Sequence, residues 1–293
     1  MPGKLYICAT PIGNLEDITL RVLDTLESVD LIAAEDTRHT LGLLNHYDIR
    51  AKLTSYHEHN KYDKAKVLVE ELLAGKNIAL VTDAGTPGIS DPGEELVKQC
   101  IEAGIEVTSL PGACAIPVAL SMCGLSSRRF VFEGFLPADR KEREKAFERL
   151  RGETRTIVIY EAPHRILKTL TELEAVLGSG RRIRICRELT KLYESVLAFD
   201  IAEALSYFKE NEPRGEMVVV IEGMSEELLE SERRRGFEEM NLEEHMEIYI
   251  SAGLSEKEAM KKVADDLGVP KRDIYARLKI NNGEGEELPE DQI

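Results

Sequence analysis

Short apolar runs alternate with helical patterns over the first 112 residues, and this alternation is the feature that most restricts the fold. Apolar runs typical of strands occupy residues 5–9, 31–34, 78–81 and 107–110, with a weaker extended stretch at 52–56. Apolar residues at helical spacing fill the intervals, at residues 18–29, 37–47, 60–74 and 94–103. Strands that alternate with helices form a parallel sheet with right-handed crossovers. We therefore predict an N-terminal α/β domain, residues 1–115, with a parallel, Rossmann-like sheet.

A turn-rich or acidic segment follows each clear strand of this domain. Thr10-Pro11-Ile12-Gly13 follows the first strand, Glu35-Asp36 the second and Pro111-Gly112 the last. The third clear strand leads into LVTDAGTPGISDPG, residues 80–93, whose last ten residues include five that are Gly or Pro. Ligands of parallel sheets bind beyond the carboxyl ends of the strands. Because glycine lets the backbone approach a ligand closely, we expect these segments to form one small-molecule site.

The pattern changes after residue 125, and we predict a second α/β domain over residues 116–224. Its predicted strands are residues 130–135, 156–160, 183–186, 196–199 and 217–221. Helical patterns cover residues 139–151, 164–177 and 201–208. Only a short connection joins the strands at 183–186 and 196–199, which indicates an antiparallel pair and therefore a mixed sheet.

The remaining sequence is charged and predicted to be helical up to an acidic tail. Residues 225–239 are predicted to be a charged linker, and residues 240–282 a helix-turn-helix-like segment in which Ser255 and Glu258 form a capping box. Two short helices around Gly268 fit a helix-turn-helix. The same pattern also fits a plain helical hairpin that caps the domain or a dimer. Residues 283–293 are predicted to be a disordered acidic tail.

Composition indicates a soluble protein of a reducing compartment. No apolar run reaches the length of about 18 residues that a membrane span needs, and residues 1–10 lack the longer apolar stretch of a signal peptide, so we expect none. The five cysteines are scattered without metal-binding or disulfide spacing, so we expect a cytoplasmic protein without a metal site. The net charge of −16 argues against non-specific binding to nucleic acid, although local basic clusters remain. Motifs for dinucleotides, the P-loop and serine hydrolases are absent.

Several motifs follow one another in an order that resembles the tetrapyrrole methylase superfamily, the class III S-adenosylmethionine-dependent methyltransferases. They are YICATPIGNLEDIT, EDTRHT, SYHEHN, LVTDAGTPGISDPG, LPGACA, FEGFLP, YEAPHR, CRELTK and RGE. Within the superfamily the sequence is similar to the members that methylate the ribose 2′-hydroxyl of a cytidine in 16S rRNA. The resemblance covers nearly the whole chain, including the helix-turn-helix-like segment.

The resemblance implies two α/β domains with S-adenosylmethionine in the cleft between them. It also implies a homodimer, and 16S rRNA or the small ribosomal subunit as the substrate. Carried over by motif, the donor would contact Thr10, Pro11, Gly85, Thr86, Pro87, Ile89, Cys114, Ala115, Tyr160, Leu189 and Met217.

A ribose hydroxyl is a poor nucleophile, so a base or a cation that stabilises the developing alkoxide would assist methyl transfer. The candidate catalytic residues in the motif loops are Glu35, Asp36, Arg38, His164, Arg165 and Lys191. His57 is a further candidate base. The sequence does not rank them, since Glu35 to Arg38 would equally form a helix cap with a local ion pair. His164 could instead pack under its own helix, and Lys191 could pair with Glu188.

Two other functions remain open at this point. One is methylation of a tetrapyrrole, which would need a large apolar cleft for a macrocycle. The other is a non-catalytic RNA-binding or ribosome-assembly role that keeps the fold. The bare loop at 82–90 argues against the second, because a protein without a donor would have no use for it.

Overall fold

The apolar runs of the N-terminal half form a five-stranded parallel sheet in the computed structural model, which describes residues 1–281. The side chains of residues 232, 238, 239 and 279–281 are outside this description, and so are residue 282 of the helix-turn-helix-like segment and the predicted tail 283–293. Contacts divide the chain into two compact units, Met1–Gly223 and Met224–Ile293. Both predicted α/β domains lie in the first unit, apart from residue 224, and the boundary between them stays a prediction.

The strands of the parallel sheet are β1 (Lys4–Cys8), β2 (Leu31–Ala34), β3 (Leu53–Ser55), β4 (Ile78–Val81) and β5 (Glu106–Leu110). The helices between them are α1 (Leu20–Ser28), α2 (Thr37–His46), α3 (Lys61–Leu73) and α4 (Gly93–Glu102). The spatial order is β3-β2-β4-β1-β5. After β1 the chain continues to β2 and β3, which lie towards one edge of the sheet. After β4 it continues to β5, which forms the other edge. The point between β1 and β4 is therefore the switch point at which such sheets bind ligands.

A second, mixed sheet follows, as the sequence predicts. Its strands are β6 (Phe130–Phe135), β7 (Thr156–Glu161), β8 (Arg182–Arg187), β9 (Ser195–Asp200) and β10 (Met217–Ile221), in the order β6-β7-β10-β8-β9. Only β6 and β7 pair in parallel, and the other pairs are antiparallel. The sheet carries α5 (Ala115–Met122), α6 (Arg140–Arg151), α7 (Ile166–Leu177) and α8 (Ile201–Glu210). The α/β fold class with one parallel and one mixed sheet is thus confirmed.

Helix α5 is an element that the sequence analysis missed. Its sequence, AIPVALSM, is apolar on every side, so it lacks the contrast of faces that marks an amphipathic helix. Ile116, Ala119 and Leu120 pack in one cluster with Val158 and Val218 of the mixed sheet. The helix predicted at residues 164–177 also starts later, because Pro163–Arg165 form a 3-10 turn before α7 begins at Ile166.

The second unit is helical over its described residues. It contains α9 (Glu226–Glu239), α10 (Leu242–Ser251), α11 (Glu256–Leu267) and α12 (Lys271–Asn281). The predicted linker is α9, and the two helices predicted around Gly268 are α11 and α12. The Ser255 backbone N–H donates to the Glu258 carboxylate at 3.0 Å, and Gly268 ends α11 with φ +64°. Met246, Val263 and Ile274 are buried in a core of this unit's own.

No helix among residues 1–281 is long and apolar enough to cross a membrane.

Candidate functional site

A cavity of about 370 Å³ lies at the carboxyl ends of β2 and β4 and against the mixed sheet. Glu35 and Asp83 line it from the parallel sheet, and Tyr160 and Met217 line it from β7 and β10. The cavity is within the range of roughly 300–1,000 Å³ that small-molecule sites occupy. Its position at the switch point is the one that the sequence analysis expects.

The Gly-rich turn after β4 forms one wall, and two backbone hydrogen bonds tie it to the turn after β1. The Thr10 N–H donates to the Gly85 carbonyl at 2.9 Å, and the Gly85 N–H donates to the Thr10 carbonyl at 3.1 Å. Gly85 has φ +89°, a conformation that favours glycine. The Thr10 hydroxyl is buried and donates to the Thr82 carbonyl at 3.0 Å. The backbone conformation of this wall of the cavity therefore requires a glycine in the loop.

Side chains hold the rest of this loop in place. Asp91 Oδ1 accepts the N–H of Gly88 at 2.6 Å and that of Gly93 at 3.2 Å. The Thr86 hydroxyl donates to the Ala113 carbonyl at 3.0 Å and so connects the loop to the segment before α5. Cys114, the N-cap residue of α5, lines the cavity at this point.

Three carboxylates lie at the junction of β2, β4 and α2. Glu35 Oε2 accepts the Thr82 hydroxyl at 2.6 Å and the Asp83 N–H at 3.4 Å, and Asp83 Oδ1 accepts the Asp36 N–H at 3.1 Å. Burial raises the pKa of Asp83, with a smaller contribution from the nearby charge of Glu35. In contrast, hydrogen bonds from Arg38 hold the pKa of Asp36 well below its usual range. The two aspartates therefore differ in their ability to take up a proton.

The mixed sheet supplies the opposite wall. The Tyr160 ring packs edge-on against Phe132, and burial raises the pKa of its hydroxyl. Lys191 Nζ lies 3.2 Å from Glu188 Oε1 in the loop after β8. Leu189 and Met217 are buried and give this wall an apolar part. The cavity thus combines acidic groups on one side with an apolar and aromatic surface on the other.

The structure brings most of the predicted site residues to this cavity. The residues that line it are Gly85, Thr86, Ile89, Cys114, Ala115, Tyr160, Leu189 and Met217 of the donor set, and Glu35 and Lys191 of the catalytic set. Thr10, Pro11 and Pro87 belong to the same turns but are not among the lining residues. All of these roles remain predictions.

The other four catalytic candidates lie outside the cavity lining. Asp36 is the N-cap of α2 and pairs with Arg38, whose side chain is 90% exposed. His164 is exposed. Arg165 donates to the Leu136 carbonyl at 2.6 Å and lies 3.4 Å from the buried carboxylate of Glu161. These contacts match the structural alternatives that the sequence left open for Asp36 and Arg38, and they give Arg165 a structural partner too.

Sequence reasoning missed Asp83 as a site residue. It stands two positions after the buried run IALV and two positions before Gly85, so its position in the motif was a usable signal. Its burial and its proximity to Glu35 depend on strand pairing between β2 and β4, which the sequence does not display.

Comparison with known proteins identifies the family to which this fold belongs. Residues 4–205 match the family of Tetrapyrrole (Corrin/Porphyrin) Methylases, and the chain belongs to that family. The chain is therefore a methyltransferase of the tetrapyrrole methylase fold, and the donor used by this superfamily is S-adenosylmethionine.

Curated relatives cover almost the whole chain. "Ribosomal RNA small subunit methyltransferase I" of Halalkalibacterium halodurans is 49% identical over 273 residues, which is 93% of each chain. The protein of the same name from Synechocystis is 48% identical and covers 93% of this chain and 96% of its own length. The one from Escherichia coli O157:H7 is 47% identical over 277 residues, again 93% of each chain.

Solved structures agree in fold. Diphthine synthase superposes with a TM-score of 0.62 at 14% identity and covers 78% of this chain and 94% of its own. Uroporphyrin-III C-methyltransferase from Thermus thermophilus, complexed with S-adenosylhomocysteine, superposes with a TM-score of 0.54 at 18% identity and covers 75% of this chain and 97% of its own. Identities this low support the fold alone.

The cavity residues fit S-adenosylmethionine as a ligand. Gly85 has no side chain to cover its backbone, and Glu35, together with other acidic residues of the lining, supplies negative charge suited to a cationic sulfonium and amine. Leu189 and Met217 provide an apolar surface for an adenine ring.

Proposed function

We propose that this methyltransferase transfers a methyl group from S-adenosylmethionine to the ribose 2′-hydroxyl of a cytidine in 16S rRNA, within the small ribosomal subunit. The observation that carries the proposal is the extent of similarity to the relatives named ribosomal RNA small subunit methyltransferase I. The alignment of 273 residues is longer than the first unit, which has 223 residues, so it includes part of the helical unit as well. The shared architecture thus extends beyond the methylase fold itself.

The donor would be held by the predicted set of loops around the cavity. Bound S-adenosylmethionine would supply a methyl group activated by a sulfonium. Backbone groups of the turn at Gly85, Thr86 and Pro87 would bind it, with Thr10, Pro11 and Ile89 from the same turns. Cys114, Ala115, Tyr160, Leu189 and Met217 would enclose the adenosine part from the other side.

Positioning and proton removal are the two tasks left to the protein. Holding the hydroxyl oxygen in line with the methyl group can supply several kcal/mol of catalysis. Of the predicted catalytic residues, Glu35 and Lys191 line the cavity, so they are the ones placed to contact a substrate. The other four predicted residues would act from outside the cavity. Arg38, His164 and Arg165 would bind phosphate or shape the loops, and Asp36 would shape the loops.

RNA would be recognised by local basic surfaces, because the whole chain is acidic. On α12 the side chains of Arg272 and Arg277 are exposed. Lys271 Nζ donates to the Lys257 carbonyl at 2.8 Å, which joins α12 to α11. The arginines of the first unit, such as Arg128 and Arg129, are exposed as well. We further propose that the protein acts as a homodimer.

One experiment tests the function. Purified protein is incubated with radiolabelled S-adenosylmethionine and, in parallel, with unmodified small ribosomal subunits, deproteinised 16S rRNA and a precorrin mixture. Label on a cytidine ribose in subunits or in free rRNA is the expected result and identifies which RNA state is the substrate. Label in the macrocycle alone would overturn the proposal in favour of tetrapyrrole methylation. Binding of the donor without transfer to any substrate would favour a binding role.

A further inference from the structure

Six acidic residues line the cavity, and most of them already have partners. Asp91 holds two backbone N–H groups of the glycine turn. Glu161 accepts the Thr169 hydroxyl and lies beside Arg165. Glu188 lies beside Lys191. Glu216 is exposed to solvent at the start of β10. Glu35 and Asp83 are left as the candidates for contact with a reacting group.

Glu35 and Asp83 differ in what their oxygens contact. Glu35 Oε2 accepts both the Thr82 hydroxyl and the Asp83 N–H, so protein donors already stabilise its charge. Asp83 Oδ1 accepts the Asp36 N–H, which fixes the orientation of the carboxyl group. Asp83 Oδ2 has no hydrogen-bond partner among the described residues. Glu35 Oε1 is likewise without a hydrogen-bond partner among the described residues, so the two side chains differ in the number of donors. Two protein donors stabilise the Glu35 carboxylate and one stabilises the Asp83 carboxylate, which leaves Asp83 the better placed of the two to accept a proton.

We propose that Asp83 is the general base that accepts the proton of the ribose 2′-hydroxyl. This inference rests on the proposed function, since it requires a hydroxyl substrate. In the step, the 2′-oxygen forms a bond to the methyl carbon, and the carbon–sulfur bond of the donor breaks with its electron pair kept by sulfur. The hydroxyl proton passes to Asp83 Oδ2 and later to water. The positive charge of the sulfonium and the negative charge of the carboxylate are both neutralised.

The groups around Asp83 make it a better base than its neighbour Asp36. Partial burial and the carboxylates of Glu35 and Asp36 raise the pKa of Asp83, and the N–H of Asp36 and the imidazole of His39 oppose this rise. Arg38 lowers the pKa of Asp36. A base works best when its pKa approaches the working pH. Of the two aspartates, Asp83 therefore has the raised pKa that a general base needs, and it also lines the cavity.

The test compares Asp83→Asn with Asp24→Asn, a substitution of an exposed aspartate on α1. Asparagine keeps an oxygen that can accept the Asp36 N–H, so the loop is expected to hold its shape. We expect Asp83→Asn to lower kcat on small subunits by about 100-fold or more, the usual loss for a general base. Its affinity for S-adenosylhomocysteine by calorimetry stays within about threefold of the wild-type affinity, and the acid limb of the kcat/KM pH profile disappears. Asp24→Asn matches wild type in every measurement.

A second measurement does not depend on turnover or on a variant that folds. Carbon-13 NMR of the aspartate carboxyls follows the titration of Asp83 in the wild-type protein without donor. A midpoint above the ordinary aspartate value of about 3.9 is expected, and one at or below this value would overturn the inference.

The outcomes separate this inference from the proposed function. If wild type methylates a cytidine ribose and Asp83→Asn does so at a rate within threefold, Asp83 is not the base and the function stands. Parallel loss of S-adenosylhomocysteine binding and turnover in the variant would make Asp83 a donor-binding residue instead. If wild type transfers no methyl group to ribose, the proposed function fails first and this inference fails with it.

Discussion

At the scale of single residues, burial and pairing affect two neighbouring aspartates in opposite directions. Asp83 is partly buried, which favours its neutral form, whereas Asp36 gains hydrogen bonds from Arg38, which favour its charged form. Because a pKa that differs between the folded and unfolded states makes stability depend on pH, the two side chains have opposite effects on stability.

Asp83→Asn should make the protein more stable at pH 7. A raised folded-state pKa means that the charged carboxylate is disfavoured by folding, and this cost is absent below the unfolded pKa of about 3.9 and grows as pH rises through the folded value. The substitution removes the charge and keeps the acceptor oxygen. Thermal melts of both proteins at pH 7 and pH 3.5 should show a higher melting temperature for the variant at pH 7 only. An equal or lower melting temperature at pH 7 would mean that Asp83 bears no desolvation cost.

Asp36→Asn should make the protein slightly less stable at pH 7. The folded-state pKa of Asp36 is lowered, so its contribution to stability is present above pH 4 or so and is lost as pH falls through the folded value. Asparagine still caps α2, since it can accept the Arg38 N–H, so only the charge pairing with Arg38 is lost. Melts at pH 7 should show a small decrease that disappears in acid. Turnover should fall less than in Asp83→Asn, and an equal loss would return Asp36 to the list of possible bases.

At the scale of elements, the glycine turn after β4 is where backbone conformation and binding coincide. Gly85 has φ +89°, and a Cβ placed there would lie 3.4 Å from Ile12 Cγ2. Gly85→Ala should cost about 1–2 kcal/mol, the penalty of a left-handed conformation, and should weaken donor binding because the turn lines the cavity. Gly104→Ala is the matched control, since Gly104 also has positive φ, at +70°, but follows α4 in open space. Calorimetry with S-adenosylhomocysteine should show weaker binding in the first variant only. Equal loss in both would show a general effect on stability.

The turn after β1 and the loop after β8 are packed too closely for any side chain at Gly13. A Cβ there would lie 2.5 Å from Lys191 Cγ and 2.9 Å from the Leu189 carbonyl oxygen. Gly13→Ala should cost about 1–3 kcal/mol through overpacking and should lower donor affinity by moving Leu189. The control Gly42→Ala has no atom within 4 Å of the new Cβ and should stabilise α2 by about 1 kcal/mol. Unchanged donor affinity in Gly13→Ala would mean that the loop after β8 adapts without affecting the cavity.

The elements also show what the sequence could predict and what it could not. Strands such as IALV at 78–81 are buried on both faces, so their apolar runs stand out, and helices with one apolar face were equally visible. Helix α5 was missed because its sequence is apolar all round. Within the site, motif order identified the loops. The sequence could not predict which of Glu35, Asp36 and Asp83 is best placed as the proposed general base, because this depends on which carboxyl the paired strands partly bury.

At the scale of the whole molecule, the cavity belongs to the first unit and the helix-turn-helix-like segment to the second. All cavity-lining residues precede Gly223, and the second unit has its own small core around Met246 and Val263. Because the core of each unit is built from its own residues, we expect the first unit to fold without the second. This arrangement separates the proposed binding of the methyl donor from the part of the proposed RNA recognition that α12 would provide.

Removal of residues 224–293 should then leave a folded protein that binds S-adenosylhomocysteine as the full chain does. Methylation of small subunits should fall by at least tenfold if the second unit contacts RNA. The charge reversal Arg277→Glu in the full chain tests the same contact with RNA more mildly than the truncation. It changes an exposed side chain of α12 and leaves the core around Ile274 intact. It should weaken RNA binding and reduce the salt dependence of that binding, since fewer phosphate contacts release fewer counterions. RNA binding and turnover that are intact in both proteins would assign α11 and α12 to a structural hairpin, and RNA recognition would then have to come from the arginines of the first unit.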